Sequence, residues 1–260
     1  MKLLCHKNIL PFLPVLLLSQ GCAQNTTFSP PVNGEHIRFT ATVPAELEAL
    51  PLYTIYRSDI CRKEMQNADW KTYTVPGYHW EQYPLTMLTQ GKMEADIPES
   101  GGGECNWKLS NITFEVKFKN PTNIDPLISK NFGVEVTFVL DNNAPATFDG
   151  GYEKKTGNVD EELILFPLIS ESFIGGHDKS FRLIKKYETM TYKVNNTNNI
   201  SINIDYKSDM KSFRKGVKKK EKGAKPTMTY PDGNIVYGED KPQYKKLMKI
   251  YNDRKNNVTR

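Results

Sequence analysis

Alternation of apolar and polar residues in steps of two restricts this chain to strand-built folds over most of its length. Ile112, Phe114, Val116 and Phe118 are separated by Thr113, Glu115 and Lys117. Successive side chains of a strand point to opposite faces, so this spacing buries one face of a sheet and leaves the other to water. The pattern recurs at Ile37, Phe39, Ala41 and Val43, and at Val134, Val136 and Phe138. Leu52–Tyr56 is a further candidate strand. Leu163–Leu168 is apolar without a break, which predicts a strand covered on both faces. Met190–Val194 and Ile200–Tyr206 flank Asn195-Asn196-Thr197-Asn198-Asn199. Asn tolerates left-handed backbone geometry, so this pair predicts a hairpin with a short Asn-rich loop. Turn signals stand between the segments at Pro76-Gly77, Gly101-Gly102-Gly103, Asn120-Pro121, Asp149-Gly150-Gly151 and Gly175-Gly176. Together these features predict a mainly β chain, with an antiparallel β-sandwich-like domain over 35–206.

Beyond residue 206 the character changes. The segment 207–225 holds nine Lys or Arg against two acids. The whole 260-residue chain carries a net charge of only +5, so the basic surplus is confined to one patch and does not make the molecule a nucleic-acid binder. Met210, Phe213 and Val217 have the spacing of a short amphipathic helix, which Gly216 weakens. In 226–260, Thr227–Tyr237 reads as a hairpin turning at Tyr230-Pro231-Asp232-Gly233-Asn234. Asp240 is placed to cap a helix with Pro242 in its first turn, and Tyr244, Leu247, Met248 and Tyr251 form its apolar stripe.

The other end of the chain gives an address. Lys2 and Lys7 precede an apolar run over Ile9–Leu18, then Ser19-Gln20-Gly21-Cys22. Ten apolar residues make about 15 Å of helix, half the roughly 30 Å of a bilayer core, so the run predicts an export signal over 1–21 rather than a span. Ordinary cleavage after Gly21 or Ala23 is one reading. Leu16-Leu17-Leu18 followed by Gly21-Cys22 also resembles the lipobox of bacterial lipoproteins, although Ser19 stands where that pattern has Leu. The resemblance implies that Cys22 is the first mature residue and carries the lipid. With Ala23 rather than Asp next, it implies sorting to the outer membrane, anchored on the periplasmic side. Residues 22–34, with Pro30-Pro31, then read as a lipidated tether. Once Cys5 leaves with the signal and Cys22 is acylated, Cys61 and Cys105 remain. An even pair in an exported chain predicts a disulfide. A metal site is the weaker alternative, because the pair lacks CxxC spacing or a nearby His cluster.

No nucleophile elbow, HExxH, Walker A or dinucleotide motif occurs. His36, His79 and His177 are far apart in sequence. His79 with Glu81, and His177 with Asp178, are the only local acid–base candidates, and both read better as contact or turn residues. Gly101-Gly102-Gly103 could offer bare N–H groups to an anion, but reads first as a turn bringing Cys105 to Cys61. Asp141-Asn142-Asn143 and Asp149-Gly150-Gly151 lack the spacing of a calcium loop. The expectation is therefore a non-enzyme without cofactor or metal. The segment Trp70–Tyr83 is more suggestive. Trp70, Tyr73, Tyr78, Trp80 and Tyr83 crowd into an apparent loop, and Trp and Tyr are the residues that anchor protein contacts. An extra buried aromatic cluster beside the disulfide is the alternative.

A second resemblance rests on Val43-Pro44-Ala45-Glu46-Leu47, Tyr53-Thr54-Ile55-Tyr56-Arg57-Ser58, Cys61 and Ser100-Gly101-Gly102-Gly103-Glu104-Cys105-Asn106-Trp107. These are similar to enterobacterial lipoproteins that act as immunity proteins against type VI secretion phospholipase effectors. The resemblance implies a periplasmic protein whose partner is a secreted phospholipase. The competing expectation is a structural envelope lipoprotein, or one that meets lipopolysaccharide through 207–225.

Overall fold

A computed structural model describes residues 27–89, 91–142 and 152–258. The signal 1–21, Cys22, the start of the tether and the Asp149-Gly150-Gly151 turn lie outside the described residues. The chain is mainly β. Its strands are β1 (His36–Thr42), β2 (Leu47–Ala49), β3 (Leu52–Gln66), β4 (Thr72–Tyr83), β5 (Thr86–Thr89), β6 (Lys92–Pro98), β7 (Ser100–Gly102), β8 (Trp107–Phe118) and β9 (Ile128–Phe132). There follow β10 (Val134–Val139), β11 (Tyr152–Thr156), β12 (Val159–Ser172), β13 (Asp178–Ile184), β14 (Thr191–Asn195), β15 (Asn199–Tyr206), β16 (Ser212–Lys215), β17 (Thr227–Thr229) and β18 (Ile235–Tyr237), then one helix, α1 (Tyr244–Val258).

The strands form two sheets. A 10-stranded sheet runs β18-β17-β16-β12-β15-β1-β6-β5, with β13 joined to β12 and β9 to β13. An 8-stranded sheet runs β11-β14-β10-β8-β3-β4, with β2 and β7 also on β8. The period-two residues of both sheets meet in one core, in a sandwich-like arrangement. Ile37, Phe39 and Ala41 of β1 are buried, as are Ile112, Phe114 and Val116 of β8. The Phe39 ring lies 5.3 Å from Phe114 and 6.1 Å from Phe138 across the two layers.

The uninterrupted apolar run of β12 serves two cores, one on each face. Leu163, Leu165 and Ile169 face the sandwich interior. Phe166 and Leu168 face a second cluster with Met210, Met228, Leu247 and Ile250, which roofs the sheet with α1. Pro167, which cannot donate to a ladder, falls where β12 changes partner on one edge, after its pairing with β15 ends at Leu165 and before its pairing with β16 begins at Leu168.

Four sequence expectations give way to the tertiary structure. The sheets are mixed, not antiparallel throughout: β1, β12 and β16 all run parallel to their neighbours in the block β1-β15-β12-β16. The Asn-rich turn does not close a hairpin. β14 pairs with β10 and β11 in one sheet, and β15 pairs with β1 and β12 in the other. The turn, with Asn196 at φ 52, is an arch between layers, and each flanking strand buries its apolar face from its own side. Part of the basic segment is strand β16, not helix. Met210 and Ser212 point inward while Phe213 is exposed, and the Gly216 N–H continues the parallel ladder to the Glu171 carbonyl at 2.8 Å. The segment and the C-terminal hairpin thus extend the large sheet. Finally, Asp240 does not cap α1. Its carboxylate accepts from Arg214 at 2.6 Å, and the Gln243 N–H at the helix start donates to the Tyr230 hydroxyl at 3.0 Å.

Candidate interaction site

The Trp70–Tyr83 segment is not a loop. It is the tip of a long hairpin and its returning strand, β4, at the edge of the smaller sheet. The lower half of the hairpin is ordinary sheet, with Tyr53–Arg57 of β3 also paired to β8. Above Arg57 that support ends. From Asp59 to Thr74 every residue except Cys61 is exposed, so the hairpin leaves the sandwich as an arm. Asn67 closes its tip by accepting the Asp69 and Lys71 N–H groups on its side-chain oxygen at 3.0 and 2.9 Å. Trp70 sits there at φ 62, a left-handed conformation uncommon for a bulky residue.

The arm carries its aromatic groups outward. Trp70 is 81% exposed and Trp80 54% exposed. Tyr73 and Tyr78 are exposed as well, joined by Ile60 and Met65. Tyr78 lies under the Lys63 ammonium at 3.6 Å, and Trp80 stacks on Tyr53 at 6.0 Å. Tyr83 differs. It points inward and its hydroxyl lies 3.0 Å from that of Tyr56. Tyr56 gives its own proton to the Pro98 carbonyl at 2.8 Å, so Tyr83 is the donor in that pair. Burial holds the Tyr56 phenol well above its ordinary pKa. Four of the five aromatic residues are therefore surface groups, and the fifth anchors β4 to the core.

Three devices clamp the base of the arm. The first is the disulfide between Cys61 of β3 and Cys105 of the β7–β8 turn, with Cα atoms 5.3 Å apart. Here β3 shifts register between Ser58 and Lys63. The Ser58 hydroxyl absorbs the irregularity, accepting from the Ile60 and Cys61 N–H groups at 3.1 and 2.9 Å and donating to the Cys105 carbonyl at 2.5 Å. The second device is Gly77 of β4: a Cβ there would stand 1.8 Å from the Cys61 carbonyl oxygen, so no other residue fits against the displaced strand.

The third device joins two features that look unrelated in sequence. Phe28 packs edge-on against Tyr56 at 4.8 Å and stacks on His79 at 4.7 Å. Beside it, the Ser29 N–H donates to the Gly101 carbonyl at 2.8 Å. Added Cβ atoms at Gly101, Gly102 and Gly103 would come within 2.2 Å of the Phe28 ring, 2.1 Å of the Ser29 carbonyl oxygen and 2.0 Å of the Thr27 carbonyl oxygen. The glycine triplet is thus a seat for residues 27–29 as well as the approach to Cys105. Three consecutive glycines signal a close backbone approach, but nothing in the sequence says which segment approaches.

The remaining polar candidates have structural partners. His79 Nε2 lies 2.7 Å from Glu81 Oε1, in the Phe28 stack. His177 meets Glu171 at 2.8 Å rather than Asp178, which pairs with Lys130. Among the described residues, no group of three or more His, Cys, Asp or Glu could hold a metal, and no helix is long and apolar enough to cross a membrane. No family model, no curated protein and no solved structure matches this chain.

Proposed function

We propose that this protein is a lipid-anchored envelope protein that acts by binding another protein, with the β3–β4 arm as its contact element. One observation carries the reading: a hairpin exposed from Asp59 to Thr74 presents Trp70, Tyr73, Ile60 and Met65 to solvent while its base is held by a disulfide. Exposing such side chains is unfavourable unless a partner covers them. Ordering them in advance lowers the entropy lost on association. Tyr78, Trp80 and Tyr53 extend the same surface down the sheet edge. A projecting, pre-ordered aromatic element suits an inhibitor that enters a partner's cleft. That agrees with the resemblance to immunity lipoproteins, which makes a secreted phospholipase the proposed partner and binding, not catalysis, the activity.

The lipobox-like Gly21-Cys22 supports anchoring through Cys22 on the periplasmic side of the outer membrane. Thr27, already seated on the body, is five residues further on, so an acylated Cys22 would tie the base of the arm within about 18 Å of the bilayer. That is where a phospholipase attacks.

The test is a binding titration between the mature chain and a type VI secretion phospholipase effector, taken from the genes beside its own where one is encoded there. We expect a stable complex in which Trp70→Ala and Trp80→Ala each weaken affinity by about 10- to 30-fold. Both side chains are exposed, so the melting temperature of the free protein should hardly move. Wild-type affinity in both variants would remove the arm from the interface. Failure of the wild-type chain to bind would remove the phospholipase as partner.

A further inference from the structure

One face of the large sheet's β16–β18 extension is covered by none of the described elements. The other is roofed by α1, through Met228 and Val236. On the bare face, register places Phe213, Thr229 and Ile235 in one row across the three strands, and Lys215, Thr227 and Tyr237 in the next. Phe213, Ile235 and Tyr237 are 48%, 53% and 70% exposed. Phe213 and Ile235, with Ile169 of β12, floor a shallow groove of about 570 Å³, rimmed by Lys179, Lys211, Arg214 and Lys215. Two carboxylates also line it. Asp125 is taken by Lys179 at 2.5 Å and Glu171 by His177 at 2.8 Å.

The chain leaving this face is the most basic stretch of the molecule. Lys211, Lys215, Lys218, Lys219, Lys220 and Lys222 are all exposed. Among the described residues none of these six makes an ion pair, whereas Lys207 and Arg214 of the same segment are bound to Asp205 and Asp240. The unpaired cations are all lysine. Specific protein interfaces favour Arg and are depleted in Lys. A diffuse anionic layer is met instead by compact charges on flexible stems, with apolar side chains entering between headgroups.

We infer that the β16–β18 face and the lysine run after it form a second docking surface, and that its occupant is an anionic phospholipid bilayer. This surface stands apart from the arm and does not depend on acylation of Cys22. The charge attracts, and Phe213, Ile235 and Tyr237 supply the apolar contact that keeps the face down.

Flotation with phosphatidylglycerol or phosphatidylcholine vesicles tests this, using the exported chain as Cys22→Ala so that no acyl group contributes. Binding is expected to the anionic vesicles only, and to vanish at about 1 M salt, where screening acts over about 3 Å. Each lysine near such a surface is worth about fivefold in partitioning. Lys218→Gln, Lys219→Gln and Lys220→Gln together should therefore weaken binding about 100-fold, with an unchanged melting curve. Phe213→Ser with Ile235→Ser should weaken it while leaving the salt dependence intact. Equal binding to neutral vesicles, no binding to either, or a triple-glutamine variant that floats like wild type would each overturn the inference. So would capture by polyglutamate with no affinity for vesicles, which would make the occupant an acidic protein.

Discussion

The seat that Gly101 makes for Phe28 predicts a specific energetic coupling. A Cβ at Gly101 would lie 2.2 Å from the Phe28 ring and 2.8 Å from the Trp107 Cβ. The ring can be expelled, so the Phe28 share of the cost of Gly101→Ala is capped by what the ring contributes in place, while the Trp107 clash remains whether or not the ring is present. Phe28 is half-buried, worth about 1.5 kcal/mol of transfer. Its contacts with Tyr56 and His79 add about 0.5–1 kcal/mol each. Phe28→Ala should then destabilise by about 2.5–3.5 kcal/mol, and Gly101→Ala by at least as much. The double variant should fall short of the sum of the two by about 2 kcal/mol or more, in a double-mutant cycle by urea unfolding. Gly157→Ala is the control. At φ 80 with nothing within 4 Å, it bears only the left-handed backbone cost of about 1–2 kcal/mol and should add independently to Phe28→Ala. Native-state hydrogen exchange should show the Ser29 amide losing protection in Gly101→Ala. Simple additivity of Gly101→Ala with Phe28→Ala, or a Ser29 amide as protected as in wild type, would refute the seat.

The disulfide spans a sequence separation of 44, so Cys61→Ser with Cys105→Ser should cost about 4 kcal/mol in urea unfolding by the loop-entropy argument. Leu247 of α1 is fully buried against β12, and Leu247→Ala should cost about 2–5 kcal/mol; a loss under about 0.5 kcal/mol would mean that the helix is not part of the cooperative unit. Burial, and then repulsion from Glu135, hold the Glu115 carboxyl above its ordinary pKa. The folded state therefore binds that proton more tightly than the unfolded chain, and stability falls as pH rises from the ordinary carboxylate value through the raised one. Glu115→Gln should stabilise the protein at neutral pH and lose that advantage in acid, read from melting temperatures across the range.

Legibility differed from element to element. β1, β8, β10 and β15 could be read from their alternation, because each buries one face against the same core. α1 could be read from a stripe that does meet the second core at Leu247. β3 was legible only to Tyr56. Beyond it, Asp59–Gln66 shows no alternation, since an arm that buries neither face has no pattern to show. The upper part of β4 reads as a loop for the same reason, and lower down the aromatic Tyr78 and Trp80 face outward while the polar His79 and Glu81 face inward, which inverts the usual pattern. β16 is misread because Met210, Phe213 and Val217 fit helical spacing, while the parallel ladder to β12 sets the backbone conformation.

From its sequence alone this chain is a strand-rich protein with a basic patch and an aromatic segment, and it contains one cysteine pair suited to bridging. Those properties are local: residue type, period and count carry them. Only the tertiary structure decides that the Asn-rich turn is an arch between sheets, that β12 faces two cores, and that the glycine triplet receives Phe28. Each of those depends on which distant segment arrives opposite. Period two fixes the side a residue faces but not the neighbour it meets there, and choice of neighbour is settled by packing of the whole chain.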